Sequence, residues 1–251
     1  MSRARVRSVI HTAACSICGR AGTSMVVDHF AERLCPACSG GDRCFACLRI
    51  LGGDGDRKLD ALYDGRSRCA RCSRGAVDNE LGLASAVPGV REYLRSVGVV
   101  SANRTRVSLR PHSELQARGS GTLGYTEVEA GARRTVRAIN VADGLPMTLF
   151  GRVLAHEIAH AWLAGVSRDR SALEEEGLCE LVAAWWLDDR GGPLSTHLLR
   201  AMSQSPDPVY GVAYRCAAAL AGNHSHRSVV ELVTSGRWAW VIQKRAEAND
   251  W

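Results

Sequence analysis

The sequence predicts an α+β domain behind a small metal-stapled unit, on three observations. Eight of the ten cysteines fall into four Cys-x-x-Cys pairs before residue 73. Three strand-like segments lie between residues 104 and 141. Beyond Pro146 the pattern is almost wholly helical. A chain of 251 residues has room for one sizeable domain and a small one, and the shift in composition places them at 1–80 and 85–251.

Composition narrows the function classes. Hydrophobic residues make up 46% and charged residues 23%, ordinary for a globular protein and too polar for a membrane protein. The N-terminal stretch MSRARVRSVIHTAACSICGR is basic but lacks an apolar run with a cleavage site, which predicts a cytoplasmic protein. The net charge is +6 and Lys58 and Lys244 are the only lysines. The arginines are scattered, so the charge reads as solvated faces and predicts no nucleic-acid partner.

The N-terminal unit holds Cys15/Cys18, Cys35/Cys38, Cys44/Cys47 and Cys69/Cys72 among Gly, Arg and Asp, with few apolar residues for a core. Each pair makes a knuckle that offers two thiolates, and two knuckles close a tetrahedral site. Eight cysteines therefore predict two structural zinc ions, on which the unit depends for folding. His29 is an alternative to Cys35 as a ligand, but it breaks the pair spacing, and the cysteines are preferred. Cys179 and Cys216 read as small core residues.

The second unit opens with a helix, since Val90, Tyr93, Leu94 and Val97 recur at helical spacing. Strands are expected over Arg104–Arg110, Leu123–Glu129 and Thr135–Val141, punctuated by the Gly and Pro clusters at 119–121 and 144–146. Pro146 and Gly165 then bound a helix containing LAHEIAHAWL, an HExxH motif. Residues four apart on a helix are offset by only about 40°, so His156 and His160 project from one face and can share an ion. Glu157 lies beside the first ligand, where a general base is needed.

A catalytic zinc takes three protein ligands and keeps one position for water. The third is expected on the next helix, SALEEEGLCELVAAWWLDD, which Ser171 and Glu174 start in a capping-box pattern. Glu174 and Glu175 read as compensation of the helix dipole. Glu176 reads as the ligand, and Glu180, four residues on, as the acceptor that orients a ligating imidazole. Tyr210 in the PVYG segment is the candidate for stabilising an oxyanion, with Tyr214 second. His224 and His226 offer the same chemistry but read as a solvated turn.

LAHEIAHAWL and LEEEGLCELVAAWWL, with VRAINVADGLP before them and DPVYGVAYR after, resemble the DA-one peptidases, ubiquitin-activated LIM-domain zinc peptidases that restrict plant organ growth. The resemblance covers about Arg133 to Trp238 and fits the same domain order. It implies a gluzincin-type, minimal thermolysin-like fold with one catalytic zinc on His156, His160 and Glu176, and Glu157 as base. It makes Thr135–Val141 the upper rim of the cleft, pairing with an extended protein or peptide substrate. The cysteine module resembles a LIM domain, with a Cys where LIM usually has His and five residues rather than two between Cys38 and Cys44. Such a module suits binding of a protein partner or regulation. No ubiquitin-interacting helix is recognisable ahead of it, so regulation by ubiquitin is not expected, and the Arg- and Ala-rich composition suits a bacterial relative.

The expected function is thus a zinc-dependent endopeptidase, a metalloprotease. The competing expectation is a non-catalytic zinc-module adaptor whose peptidase domain is degenerate; intact His156, Glu157, His160 and Glu176 argue against it.

Overall fold

A computed structural model describes residues 13–22, 24–53, 55–101, 105–119, 121–129, 134–166 and 170–238. Residues 1–12, and Arg104 of the first expected strand, lie outside the described residues. The chain divides into two compact units, Met1–Arg74 and Gly75–Trp251.

The first unit is built of short hairpins. Ala13–Ala14 (β1) pairs with Ala21–Gly22 (β2), Val26–Val27 (β3) with Arg33–Leu34 (β4), and Leu59–Ala61 (β5) with Ser67–Cys69 (β6), all antiparallel. Single helical turns, Pro36–Ser39 (α1) and Ala70–Ser73 (α2), follow Cys35 and Cys69. Strands this short bury little apolar surface. Its small interior holds Leu34, Ile50 and Leu51 together with fully buried Cys44, Cys47 and Cys69, and with arginine. Arg57 donates to the Ile50 carbonyl at 2.8 Å and pairs with Glu32, which also pairs with Arg49.

The second unit is mixed α+β, with helices from Met147 onward carrying most of the mass. Ala76–Val77 (β7) pairs with Leu145–Pro146 (β11), so residues from Gly75 on belong to this unit. Asn79 then caps Glu80–Ser96 (α3), its side chain accepting from the Gly82 amide at 2.9 Å. Leu83, Ala86, Val90 and Leu94 give α3 one buried face.

Arg106–Arg110 (β8), Gly124–Glu129 (β9) and Thr135–Ala142 (β10) form one sheet, and His112–Gln116 (α4) lies between the first two strands in sequence. Their order is β8–β10–β9, with β10 parallel to β8 and antiparallel to β9. This corrects one expectation. The strand around Thr135–Val141 is central, and from Ala138 to Val141 it is paired on both edges, so along that stretch it is not the edge that could take an added strand. The last four residues of β10 are buried, as befits a middle strand. The edge strand beside the HExxH helix is β9.

That helix is Met147–Gly165 (α5), followed by Ala172–Arg190 (α6), Gly192–Gln204 (α7), a π-helical turn Pro208–Val212, Ala213–Ala221 (α8) and His226–Thr234 (α9). The sheet and α6 both pack on α5. Close approach is possible because Gly151 on α5 lies against the Trp186 indole, and Gly177 on α6 against the Ala213 carbonyl, 2.6 Å from where a Cβ would stand. Among the described residues no helix is long and apolar enough to cross a membrane.

Candidate metal centre

Ser171 accepts from the Glu174 amide at 3.1 Å and so fixes the start of α6. From there Glu175, Glu176, Cys179 and Glu180 face the histidines of α5. His156 and His160, one helical turn apart, bring their Nε2 atoms to 3.1 Å. Glu176 closes the triangle, with Oε2 3.3 Å from His156 Nε2 and Oε1 3.6 Å from His160 Nε2.

The outer nitrogens are also matched. His160 Nδ1 lies 3.1 Å from Glu175 Oε1, and His156 Nδ1 3.1 Å from Glu180 Oε1. Each of these carboxylates is held in turn by an arginine. Arg134 donates to both oxygens of Glu175 at 3.0 and 3.1 Å, and Arg152 to both oxygens of Glu180 at 3.1 and 2.9 Å.

This arrangement supplies a test of whether a cation fits. With His160 Nδ1 hydrogen-bonded to Glu175, and His156 Nδ1 close to Glu180 but not aligned with it, the two Nε2 atoms converge on one spot together with the Glu176 carboxylate. Buried Glu176 Oε2 makes no well-aligned hydrogen bond there. Three acceptors converging without a donor repel one another unless a cation lies between them. Two imidazoles and one carboxylate are a donor set that suits zinc.

Burial opposes charge on His156, but Glu176 and Glu180 outweigh it and raise its pKa to about 9. His160 is likewise raised, against burial, by Cys179, Glu175 and Glu176. Glu175 is held down at about 2 by the bond from His160 and by Arg134. Glu176 and Glu180 also lie at about 2, where the histidines, and Arg152 for Glu180, overcome burial.

Cys179 is a second acceptor near the histidines, its sulfur grouped within 4.8 Å of their ring nitrogens. It is fully buried, and burial pushes its thiol up to about 12. Glu176, its oxygens 3.3 and 3.6 Å from the two Nε2 atoms, stands beside it as a carboxylate candidate for the third donor.

Glu157 is buried on the side of α5 that faces β9, and burial raises its pKa. Thr126 Oγ1 lies 2.8 Å from both its backbone carbonyl oxygen and its Oε2. Along the same face of β9, Gly124 leaves the space that Glu157 occupies; a Cβ there would stand 2.9 Å from Oε1 and 2.6 Å from Val153. A cleft of about 360 Å³ opens here, lined by Gly124, His156, Glu157, Glu180, Asp207 and Tyr210 among others.

Tyr210 stands at that cleft, half exposed, its ring centroid 6.5 Å from that of His156. The π-helical turn presents it. Asp207 Oδ1 accepts from the amides of Val209 and Tyr210 at 2.8 Å, and Gly211 packs directly on Ser205. Tyr214 lies elsewhere, beside Leu181 and Trp185 in a separate groove. His226 stacks on Trp185 with centroids 4.3 Å apart, and His224 is exposed.

In the first unit the cysteines gather as consecutive pairs. Cys15, Cys18, Cys35 and Cys38 form one tetrad and Cys44, Cys47, Cys69 and Cys72 the other, each with its sulfurs within 4.8 Å. His29 packs against Phe30, with ring centroids 4.3 Å apart, and belongs to neither tetrad. Amide hydrogen bonds from Cys18 and Cys35 lower the Cys15 thiol, while the neighbouring sulfurs raise that of Cys38. Both tetrads can bind zinc.

Two features of the site are absent from the sequence reading. Glu175 does more than offset a dipole, since it meets His160. Its adjacency to Glu176 was the available signal. Thr126 had none, because its meeting with Glu157 depends on the sheet order.

Residues 103–209 match the family model described as DA1-like, Protein DA1. Protein DA1-related 1 of Arabidopsis thaliana is 41% identical over 216 residues, covering 69% of this chain and 38% of that protein. Protein DA1-related 2 of Arabidopsis thaliana is 43% identical over 184 residues, covering 58% of this chain and 34% of that protein. The LIM domain-containing protein HDR3 of Oryza sativa subsp. japonica is 26% identical over 184 residues, covering 58% and 36%. The chain therefore spans well under half the length of these relatives. They are plant proteins and lend no support to a bacterial origin. No solved structure matches the chain.

Fold and site together define a class: a paired-cysteine module ahead of an α+β domain in which an HExxH helix faces an acidic helix. Within that class, the chain belongs to the DA1 family.

Proposed function

We propose that this chain is a zinc-dependent endopeptidase that hydrolyses peptide bonds in protein substrates, with a gluzincin-type catalytic domain. The observation that carries the proposal is the convergence of His156 Nε2, His160 Nε2 and the Glu176 carboxylate beside a cleft that also holds Glu157. His156, His160 and Glu176 would hold the ion, and Glu175 and Glu180 would orient the two imidazoles. A bound zinc supplies polarisation of the scissile carbonyl and a more acidic water.

The remaining steps belong to the chain. Glu157 takes a proton from the attacking water at Oε1, the oxygen that Thr126 leaves free, and passes it to the departing nitrogen. Its raised pKa brings it nearer to the working range of a base that must also return the proton. The Tyr210 hydroxyl donates to the developing oxyanion from the cleft wall. An extended substrate adds to the free edge of β9, the strand nearest Glu157, so that main-chain bonds hold it with little demand on its sequence.

The two tetrads hold two structural zinc ions and shape a LIM-like surface for a protein partner. Unpaired thiolates of this kind suit a reducing, cytoplasmic setting. The reading is tested with Glu157→Gln. Proteolysis of an unfolded protein substrate falls at least about a hundredfold while zinc content stays unchanged. Equal activity in the variant would refute it.

A further inference from the structure

Two residues of β9, Gly124 and Thr126, meet Glu157, and no metal-binding role accounts for them. We propose that Thr126 is a positioning residue for the general base: its hydroxyl staples the edge strand to Glu157 and selects which carboxylate oxygen faces the cleft. The inference rests on the peptidase reading above for what Glu157 does, but not for the geometry.

The hydroxyl stands 2.8 Å from two acceptors on one residue, the main-chain carbonyl oxygen of Glu157 and its Oε2. That pair of contacts fixes the side chain relative to its own backbone. Without it the Glu157 carboxylate could turn about its terminal torsion, whose well is broad. Held at Oε2, it leaves Oε1 toward Gly124, 2.9 Å from where a Cβ would stand, with Val153 nearer still at 2.6 Å. Period-two alternation puts Gly124 and Thr126 on the same face of β9, so one residue clears the space and the next supplies the bond.

Sheet order gives this staple a consequence. β9 is bonded to β10 along one edge, in the register Thr126↔Ile139 and Gly124↔Val141. Its other edge is the one offered to substrate. Docking there steadies β9, and through Thr126 steadies the base, so that substrate binding and base alignment are one event. A hydroxyl also suits a base that gains and loses a proton. It donates to the ionised carboxylate, and it can accept from the protonated acid by turning its own hydrogen to the Glu157 carbonyl.

The test compares Thr126→Val, which keeps the shape and removes the hydroxyl, with Thr126→Ser, which keeps the hydroxyl. On the zinc-loaded full chain, Thr126→Val is expected to lower kcat about 10- to 100-fold with KM within about twofold, and Thr126→Ser to restore most of kcat. Zinc content serves as the control and stays level, while Tm falls modestly in Thr126→Val and is recovered in Thr126→Ser. A second readout does not need activity: the carboxylate stretch of Glu157, isolated by infrared difference against Glu157→Gln, shifts in the Val variant and not in the Ser variant. An unchanged band and kcat in Thr126→Val overturn the inference. So does a rise in KM alone, which would make Thr126 a substrate contact, or failure of Ser to restore, which would show that the hydroxyl does not account for the effect. An inactive wild type with a shifted band would sink the peptidase reading and leave the staple standing.

Discussion

Replacing Glu180 by Ala removes one carboxylate that serves two partners, and the two losses can be read separately. Glu180 is buried, at 4% exposure, and accepts from Arg152 Nη2 at 3.1 and 2.9 Å while its Oε1 faces His156 Nδ1 at 3.1 Å. Breaking a buried pair by removing one member costs about 3–5 kcal/mol when the survivor is fully buried. The Arg152 side chain is 23% exposed and can recruit water, so about 1–3 kcal/mol is expected for the metal-free protein. The second loss is orientation of His156. Removing such an outer partner typically weakens metal binding about 10- to 100-fold. Urea denaturation with a chelator present reads the first loss, and competition with a zinc-binding dye reads the second. Glu175→Ala is the internal comparison. Its partner Arg134 is 47% exposed, so its stability cost stays below about 1 kcal/mol while zinc affinity still falls. Zinc affinity within about twofold of wild type in both variants would refute the assignment of these carboxylates.

Further outcomes follow from the same contacts. Cys72→Ser, at the most buried tetrad, should reduce bound zinc by about one ion per chain and abolish cooperative unfolding of the first unit, measured by metal analysis and near-UV circular dichroism. Gly211→Ala drives a Cβ into Ser205 and should lower stability by about 1–3 kcal/mol in denaturant, more than Gly75→Ala, where no atom stands within 4 Å. Tyr210→Phe should lower kcat by about tenfold or more with zinc content unchanged in kinetic assays. For the metal-free chain, His156 has a folded pKa raised to about 9, so its contribution is full below pH 6.5 and lost as pH rises through 9. Glu175, Glu176 and Glu180, lowered to about 2, contribute above their ordinary value near 4.5 and lose it as pH falls toward 2. Denaturation midpoints against pH check both limbs, and zinc should flatten the alkaline one.

Much of this site was legible because its parts are local. The spacing of His156 and His160 is set by one helical turn, and that of Glu176 and Glu180 by another, so each pair keeps its face wherever the helices pack. Ser171 announced the start of α6 for the same reason, since a cap is a contact between residues three apart. The cysteine tetrads follow from identical short spacings. Strand order was not local. Thr135–Val141 reads as a strand from its alternation, but nothing in that alternation says whether it has one neighbour or two. The parallel pairing of β8 with β10 made it central and moved the edge to β9. Thr126 was hidden by the same step, because its partner lies 31 residues away across that sheet. Glu175 was discounted because an acid in a first helical turn already has a sufficient reason to be there.

The central claim is that α5 and α6 build a third metal site on which proteolysis depends. The most direct measurement is zinc per chain, by mass spectrometry of the intact protein, in wild type and in His156→Ala, with cleavage of a protein substrate followed in parallel. The account predicts about three ions falling to about two, with cleavage lost and the first unit still folded. About two ions in both proteins, or cleavage that survives His156→Ala, would contradict it.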